Sequence, residues 1–261
     1  MTTNSLNNEC LNDFTIGNGV SGATRQLRVE NTNDTASSDA AIETYVEGTS
    51  ADDTYSRYVI STTNSYAHGI DNTDSQSFNL AYAASAAATP SSTKAIKATT
   101  GGELLYPSQP LFKAYSTVAQ TNVTGDSTGV QIQFTNEEID QNSNYDTGTG
   151  RFTAPVAGRY FFASSVQLEN IGAGHTTGAG FSIYLNGTSI TIASNFYNPA
   201  AKRSTTTSTI TVHFSSIIEL AASDTIRVFG SIGGGAKVVD TPDFTGTPAI
   251  HRVFFAGTLL G

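Results

Sequence analysis

Four oxygen-bearing side chains stand at every second position of the segment DQNSNYD. They are Asp140, Asn142, Asn144 and Asp146, and carboxylate and amide oxygens at this spacing are typical ligands of Ca²⁺. An EF-hand loop would continue with glycine at its sixth position and glutamate at its twelfth, but this chain has a tyrosine and an arginine there. We therefore expect a turn whose Asx side chains hydrogen-bond their own backbone. The alternative is an irregular Ca²⁺ site, or one shared between subunits.

The four histidines are too far apart to form a recognisable metal motif. A zinc site needs three or four convergent ligands, and none of the spacings places two histidines on one turn of a helix. We therefore expect no resident cofactor and no catalytic metal. His175 differs from the others because it lies in the glycine-rich stretch NIGAGHTTGAG (170–180). That stretch is expected to be an exposed loop, where the imidazole would titrate near neutral pH.

The sequence carries no motif of a known catalytic machinery. A G-x-S-x-G nucleophile elbow is missing, and neither a P-loop nor a G-x-G-x-x-G turn follows a strand and opens a helix. A pair of carboxylates, as glycosidases use, cannot be recognised from spacing alone, so hydrolysis stays open as a minor alternative. We predict that the protein is not an enzyme and has no catalytic residues.

Composition points to an all-β protein. Only 13% of the 261 residues are charged, and threonine, serine, asparagine and glycine take their place, which favours strands and turns over helices. The net charge of −9 argues against nucleic acid as a partner, because phosphate binding needs clustered Lys and Arg. The N-terminus has no signal-peptide pattern, and no apolar run is long enough for a membrane span. We therefore expect synthesis in a cytoplasm and no membrane insertion.

The pattern of short strands divides the chain into three parts. Residues 1–24 are rich in asparagine and read as an attachment segment, whereas alternating apolar and polar residues predict a β-rich domain over 25–107. The segment YPSQP (106–110) is the clearest boundary, because proline cannot sit in a central strand. Residues 111–261 then predict about eight antiparallel strands in two sheets. Within them Asn186-Gly187 is a strong signal for a hairpin with a type I′ turn.

Residues 111–261 resemble the C1q-like globular heads, a branch of the tumour necrosis factor superfamily. The segment GRFTAPVAGRYFF fits the family signature, and FKAYST (112–117), DTIRV (224–228) and VFFAGTLL (253–260) resemble its first, late and closing strands. The signature residues are Gly150, Arg151, Phe152, Ala154, Pro155, Gly158, Tyr160 and Phe162, with Gly257 in the closing strand. The resemblance implies an antiparallel jelly-roll β-sandwich that assembles as a homotrimer.

Family members in animals carry a secretion signal and often a collagen-like stalk, whereas this chain has a β-rich region in that position. A C1q-like head on a β-rich shaft or sandwich domain is similar to the tail-fibre and head-fibre proteins of bacteriophages. That resemblance implies a structural virion protein, made in the host cytoplasm, that trimerises and binds a host-surface glycan or protein. Its N-terminus would contact other virion proteins. The alternatives are a capsid decoration without receptor binding, or a bacterial surface protein with a C1q-like tip.

Candidate binding residues follow from the long loops and from one aromatic strand. The loops around 170–180, 196–206 and 233–249 are polar and rich in glycine and proline, and loops on a rigid scaffold commonly carry recognition. The residues expected to contact a receptor are His175, Phe196, Tyr197, Lys202 and Arg203. In the strand after Gly158, alternation places Tyr160, Phe162, Ser164 and Val166 toward the core. Phe161, on the other face, and Phe254 are then expected at the trimer interface.

Overall fold

A computed structural model describes residues 42, 44, 46, 52–190, 208–242 and 253–261. All regular elements in this part of the chain are β-strands, eighteen in number. The all-β prediction is therefore confirmed. The predicted attachment segment 1–24 lies outside the described residues. So does the first part of the predicted β-rich domain, residues 25–51, apart from residues 42, 44 and 46.

The N-terminal sheet consists of five antiparallel strands in chain order. Its strands are β1 (Thr54–Ser61), β2 (Asn64–Asp71), β3 (Ser77–Ala83), β4 (Thr93–Ala98) and β5 (Leu104–Leu105). One face carries small and polar side chains and is covered by the segment 84–92. Ser65 Oγ donates to Ser85 O at 2.6 Å, and Asn79 Nδ2 donates to Pro90 O at 3.1 Å, so the buried polar groups of this face are paired, as burial requires.

The connection between the N-terminal sheet and the next domain is held by side-chain hydrogen bonds from both sides. Ser108 Oγ donates to Lys94 O at 2.7 Å, and Gln141 Nε2 donates to Tyr106 O at 2.9 Å and to Gln109 O at 2.7 Å. The predicted boundary YPSQP falls between β5 and the first strand of the head. The hydrogen bonds to Tyr106 O and Gln109 O satisfy two carbonyl groups of this proline-containing connection and keep it ordered.

The described residues between 111 and 261 form two antiparallel sheets packed face to face, which we call the head. Its strands are β6 (Leu111–Tyr115), β7 (Gln120–Thr124), β8 (Val130–Gln131), β9 (Asn136–Gln141), β10 (Tyr145–Asp146), β11 (Arg151–Thr153), β12 (Gly158–Ile171), β13 (Thr177–Leu185), β14 (Thr188–Ile190), β15 (Ser208–Leu220), β16 (Thr225–Gly233), β17 (Val239–Thr241) and β18 (Phe254–Leu259). The β12 sheet contains β7-β17-β12-β18-β6-β9, with β15 also paired to β12. The β16 sheet contains β10-β11-β16-β13-β14, with β8 also paired to β16.

An aromatic cluster fills the space between the two sheets. Phe112 stacks on Tyr145 and Phe152 with ring centroids 5.1 and 5.0 Å apart, and meets Phe255 edge-on at 5.0 Å. Such offset and edge-on contacts add to the burial of apolar area. The predicted inward face of β12 is confirmed, because Tyr160, Phe162, Ser164 and Val166 are all buried.

Gly257 lies in β18 directly against this cluster. A Cβ atom at this position would lie 2.6 Å from Phe162 Cδ1 and 2.7 Å from Phe112 Cε1. The glycine therefore lets two aromatic rings pack flat on the backbone of β18. Gly158 has a similar role, because a Cβ there would lie 2.8 Å from Leu259 Cδ1.

The predicted hairpin is confirmed, but several short strands were missed. Asn186 and Gly187 both have positive φ, 50° and 84°, and Leu185 pairs with Thr188, as a type I′ turn requires. In contrast, the segment DQNSNYD was expected only as a turn, yet it contains the end of β9 and all of β10. The stretch 233–249 was predicted as one long loop, yet Val239–Thr241 is a strand that pairs with both β7 and β12.

Candidate binding face and loops

The outer face of the β12 sheet presents exposed apolar side chains. Strand register places three rows of side chains across β6, β18, β12 and β15 on this face, which we call the outer face. The rows are Leu111, Thr258, Phe161 and Ile217; Lys113, Ala256, Ala163 and Ser215; and Tyr115, Phe254, Ser165 and His213.

The first row of the outer face is apolar except for Thr258, and its apolar side chains are open to solvent. Leu111 is 38% exposed, Phe161 37% and Ile217 60%. The middle row is built from small side chains except at its edge, where Lys113 Nζ lies 2.6 Å from Glu138 Oε2. Exposed apolar groups above a row of small ones allow another surface to approach the sheet closely, which is a common property of interaction sites.

Both predicted interface residues, Phe161 and Phe254, lie on the outer face. They face away from the core because Phe162 and Phe255, their neighbours in the chain, are fully buried. The sequence reasoning missed Leu111 and Ile217. The signal for Leu111 was present, because Phe112 and Ala114 alternate with it in the segment LFKAY.

His175 is buried, which contradicts its predicted exposure. Its side chain is only 3% exposed, and both ring nitrogens have backbone partners. Gly172 N donates to Nδ1 at 3.0 Å, and Nε2 lies 3.0 Å from Ala236 O. Nδ1 also lies 3.2 Å from Gly172 O. The imidazole therefore joins the β12–β13 loop to the loop after β16 rather than pointing into solvent.

Glycines make room for the His175 ring. A Cβ at Gly235 would lie 2.7 Å from Cδ2 of the ring, and one at Gly125 would lie 2.9 Å from Nε2 and 1.9 Å from Ala236 O. Gly125 N also donates to Ile232 O, and Gly235 N donates to Gly125 O. Three loops thus converge on one buried imidazole at this end of the head, and His175 fixes their positions.

Two of the candidate Ca²⁺ ligands, Asp140 and Asp146, accept hydrogen bonds from backbone amides of their own turns. Asp140 accepts hydrogen bonds from the amides of Asn144 at 3.0 Å and Tyr145 at 3.1 Å. Asp146 accepts them from Gly148 N at 2.8 Å and Thr149 N at 3.3 Å. The Thr149 and Gly148 hydrogen bonds lower the pKa of Asp146. This geometry is that of Asx turns. Within the described residues no group of three or more His, Cys, Asp or Glu side chains could hold a metal ion.

The N-terminal sheet contains a charged cluster on its covered face. Lys94 Nζ lies 3.1 Å from Asp71 Oδ2 and 2.9 Å from Asp74 Oδ2, and Lys97 Nζ lies 2.7 Å from Asp74 Oδ1. Hydrogen bonds from Lys97 and Lys94 lower the pKa of Asp74 to about 2. Each partner carries hydrogen bonds within the sheet, so the cluster ties β4 to the β2–β3 turn.

Four of the five predicted receptor-binding residues cannot be placed. Phe196, Tyr197, Lys202 and Arg203 lie outside the described residues, and their role stays a prediction. Among the described residues no helix is long and apolar enough to cross a membrane.

Comparisons with known proteins relate the head to an established domain. A family model described as the C1q domain matches residues 114–228, from β6 into β16. The globular domain of zebrafish complement 1qA protein is similar at 14% identity and a TM-score of 0.39, over 58% of this chain and 98% of that one. Murine APRIL is similar at 11% identity and a TM-score of 0.40, over 58% and 99%. The search of curated proteins gives no match.

The match to the C1q family model and the topology of the two sheets identify the head as a jelly-roll β-sandwich of the C1q type. The fold expected from the signature residues is thereby confirmed. The predicted signature residues serve either the core or the turns of that fold. Phe152, Tyr160 and Phe162 fill the core, whereas Gly150 supplies a positive φ of 61° before β11.

Proposed function

We propose that the head associates as a homotrimer through the outer face and that the trimer is a binding head rather than an enzyme. The observation that carries this proposal is the exposure of Phe161 and Ile217, which pair directly across β12 and β15. A soluble protein gains stability by covering such a patch. Three identical copies would also present three copies of each loop, which turns weak single contacts into useful avidity.

The trimer belongs, in this proposal, to a virion fibre or spike of the bacteriophage type. Support comes from the β-rich domain that precedes the head. Residues 1–24 would attach the fibre to other virion proteins. The loops at the end of the head would bind a host-surface receptor, with a glycan as the favoured class. Aromatic rings and the Lys202 and Arg203 side chains can stack on and hydrogen-bond a sugar.

The receptor-binding role is tested by alanine substitution of Tyr197, Lys202 and Arg203 in the assembled particle. We expect intact particles that contain the protein in normal amount but adsorb poorly to host cells. Normal adsorption of all three variants would contradict this role for the loop. That result would favour the alternative of a capsid decoration whose head only trimerises.

Imaging of the intact particle separates the remaining alternatives. A fibre or spike places the head away from the particle surface, whereas a decoration places it flat on the capsid. A chain found on the surface of an uninfected bacterium, and not in a particle, would instead support the C1q-like tip of a bacterial surface protein.

A further inference from the structure

A second exposed apolar surface lies on the N-terminal sheet, on the side opposite the charged cluster. Strand register aligns three rows of side chains there, which we call the aromatic face. Its aromatic and aliphatic members are Tyr58, Tyr66 and Tyr82; His68, Leu80 and Ile96; and Ile70, Phe78, Ala98 and Leu104, and the same rows contain Thr54, Ser56 and Thr93. None of them is Asp, Glu, Lys or Arg. The surface is therefore suited to an uncharged partner surface and not to an ionic one.

The rings of the aromatic face already pack on one another but remain open to solvent. Tyr58 stacks on His68 with centroids 5.6 Å apart, and Tyr66 packs on Tyr82 at 5.2 Å. Tyr58 is 58% exposed and Phe78 46%. Tyr58 Oη and His68 Nε2 are 3.0 Å apart, so the polar tips are paired within the face. This preorganisation lowers the entropic cost of covering it.

The aromatic face continues toward the outer face of the head. Leu104 at its edge is followed in the chain by Leu105 and Tyr106, and all three are exposed. Gln141 Nε2 donates to Tyr106 O, and Gln141 is the register partner of Leu111 in the first row of the outer face. The chain thus enters the head through the sheet that the proposed trimer covers, and apolar side chains line that route.

We propose that the aromatic face contacts the N-terminal sheet of a second copy of this chain, so that the trimer has two interfaces. This inference rests on the proposed trimer of the head, which would hold three N-terminal sheets next to one another. At one end the chain reaches the face itself, because Ile42 and Thr44 line a cleft of about 410 Å³ together with Tyr58, His68 and Phe78. The partner copy covers the part of the face that is still exposed, from Tyr58 and Tyr66 to Leu104.

Tyrosine nitration of the full chain, read by mass spectrometry, tests this interface. Tyr58 and Tyr66 are the reporters, and partly exposed Tyr184, which stacks on Phe229 in the β16 sheet, normalises the reagent. The reference is the Phe161→Asp variant, confirmed as a monomer by mass. We expect Tyr58 and Tyr66 to react at least about tenfold more slowly in the wild-type trimer. A tenfold ratio corresponds to a free energy of about 1.4 kcal/mol for withdrawing these groups from solvent.

The outcomes separate this inference from the proposed function. A wild-type trimer whose Tyr58 and Tyr66 react as fast as in the monomer overturns the second interface and leaves the head trimer intact. A wild-type protein that is monomeric by mass overturns both. A trimer with free tyrosines that become protected only when a host polysaccharide is added would assign the face to a glycan, and would also overturn the contact between copies.

A charge on the face provides the matched genetic test. Phe78→Lys is expected to weaken trimer association at least about tenfold, because an unpaired charge would be buried at the contact. Ala87→Lys places the same charge on the exposed segment that covers the opposite side of the sheet, and should leave association unchanged. Equal effects of the two variants, or none from either, would overturn the proposal.

Discussion

Phe161 on β12 lies directly opposite Ile217 on β15, and both side chains point away from the core of the head. One residue later in the chain, Phe162 is fully buried against Phe112, Phe152 and Phe255. A single strand thus presents one aromatic ring to the core and the next to solvent. Because of this alternation, one face of β12 stabilises the core of the head and the other face is available for association.

Replacement of Phe161 by aspartate should dissociate the trimer while the head stays folded. The carboxylate would be buried without a partner in the trimer but solvated in the monomer. Light scattering should give the monomer mass, and circular dichroism should show unchanged β-structure.

Phe162→Ala is the matched control for this prediction, since it empties the core and should cost about 3–5 kcal/mol of stability. If Phe161→Asp unfolds a protein that is still trimeric, the two faces of β12 have been assigned in the wrong order.

Replacement of Gly257 by alanine should destabilise the head by about 1–3 kcal/mol, because the new methyl group would overpack the core. The rings of Phe162 and Phe112 would both have to move. Urea denaturation followed by tyrosine fluorescence measures the loss.

Gly129→Ala serves as its control, because a Cβ there meets no heavy atom within 4 Å. The two variants should differ clearly in their urea midpoints. Equal midpoints would mean that Gly257 is not in close contact with the rings.

Replacement of His175 by alanine should loosen three loops at once. Gly172 N and Ala236 O would lose their partners, and an unsatisfied buried polar group costs about 1–3 kcal/mol. Amide hydrogen exchange should accelerate at Gly172 and at Gly235, whereas the core strands of the β16 sheet should keep their protection.

Thr176→Ala, an exposed change at the next position, should leave these exchange rates close to wild type. Unchanged exchange in His175→Ala would show that the loops are held in place by other contacts.

The N-terminal sheet should lose stability in acid. Asp74 has a folded-state pKa of about 2, below its ordinary value of 3.8, because of Lys97 and Lys94. A carboxylate with a lowered pKa stabilises the fold above the ordinary value, and this contribution is lost as the pH falls from about 4 to about 2. Thermal unfolding between pH 5 and pH 2 should show a small loss of melting temperature, because exposed ion pairs contribute little stability.

Asp74→Asn should remove the part of this pH dependence that Asp74 carries, at the expense of a lower melting temperature at pH 5. If the melting temperatures of the wild-type and variant proteins fall equally between pH 5 and pH 2, this ion pair has no role in the pH dependence.

The signature around Gly150 and Pro155 made the fold of the head predictable from sequence. The spacing of aromatic residues on β12 also predicted which side chains reach the core, since strand alternation is a local property. The Asn186-Gly187 turn was predictable for the same reason, because positive φ at both positions is encoded in two adjacent residues.

The environment of His175 could not be predicted in this way. Its partner Ala236 is 61 residues away in the chain, and the pairings of β16 with β13 and of β17 with β12 bring the two together. The short strands β9 and β17 were missed because their polar residues give weak alternation. The rows of the outer face depend on register across four strands, so Ile217 could be assigned to them only from the structure.

Association of the intact chain is the central claim, and its mass in solution tests it most directly. Sedimentation equilibrium of the wild-type protein at micromolar concentration should give three times the chain mass of 27.3 kDa. A single species of 27.3 kDa under the same conditions would contradict the trimer and, with it, the role assigned to the outer face.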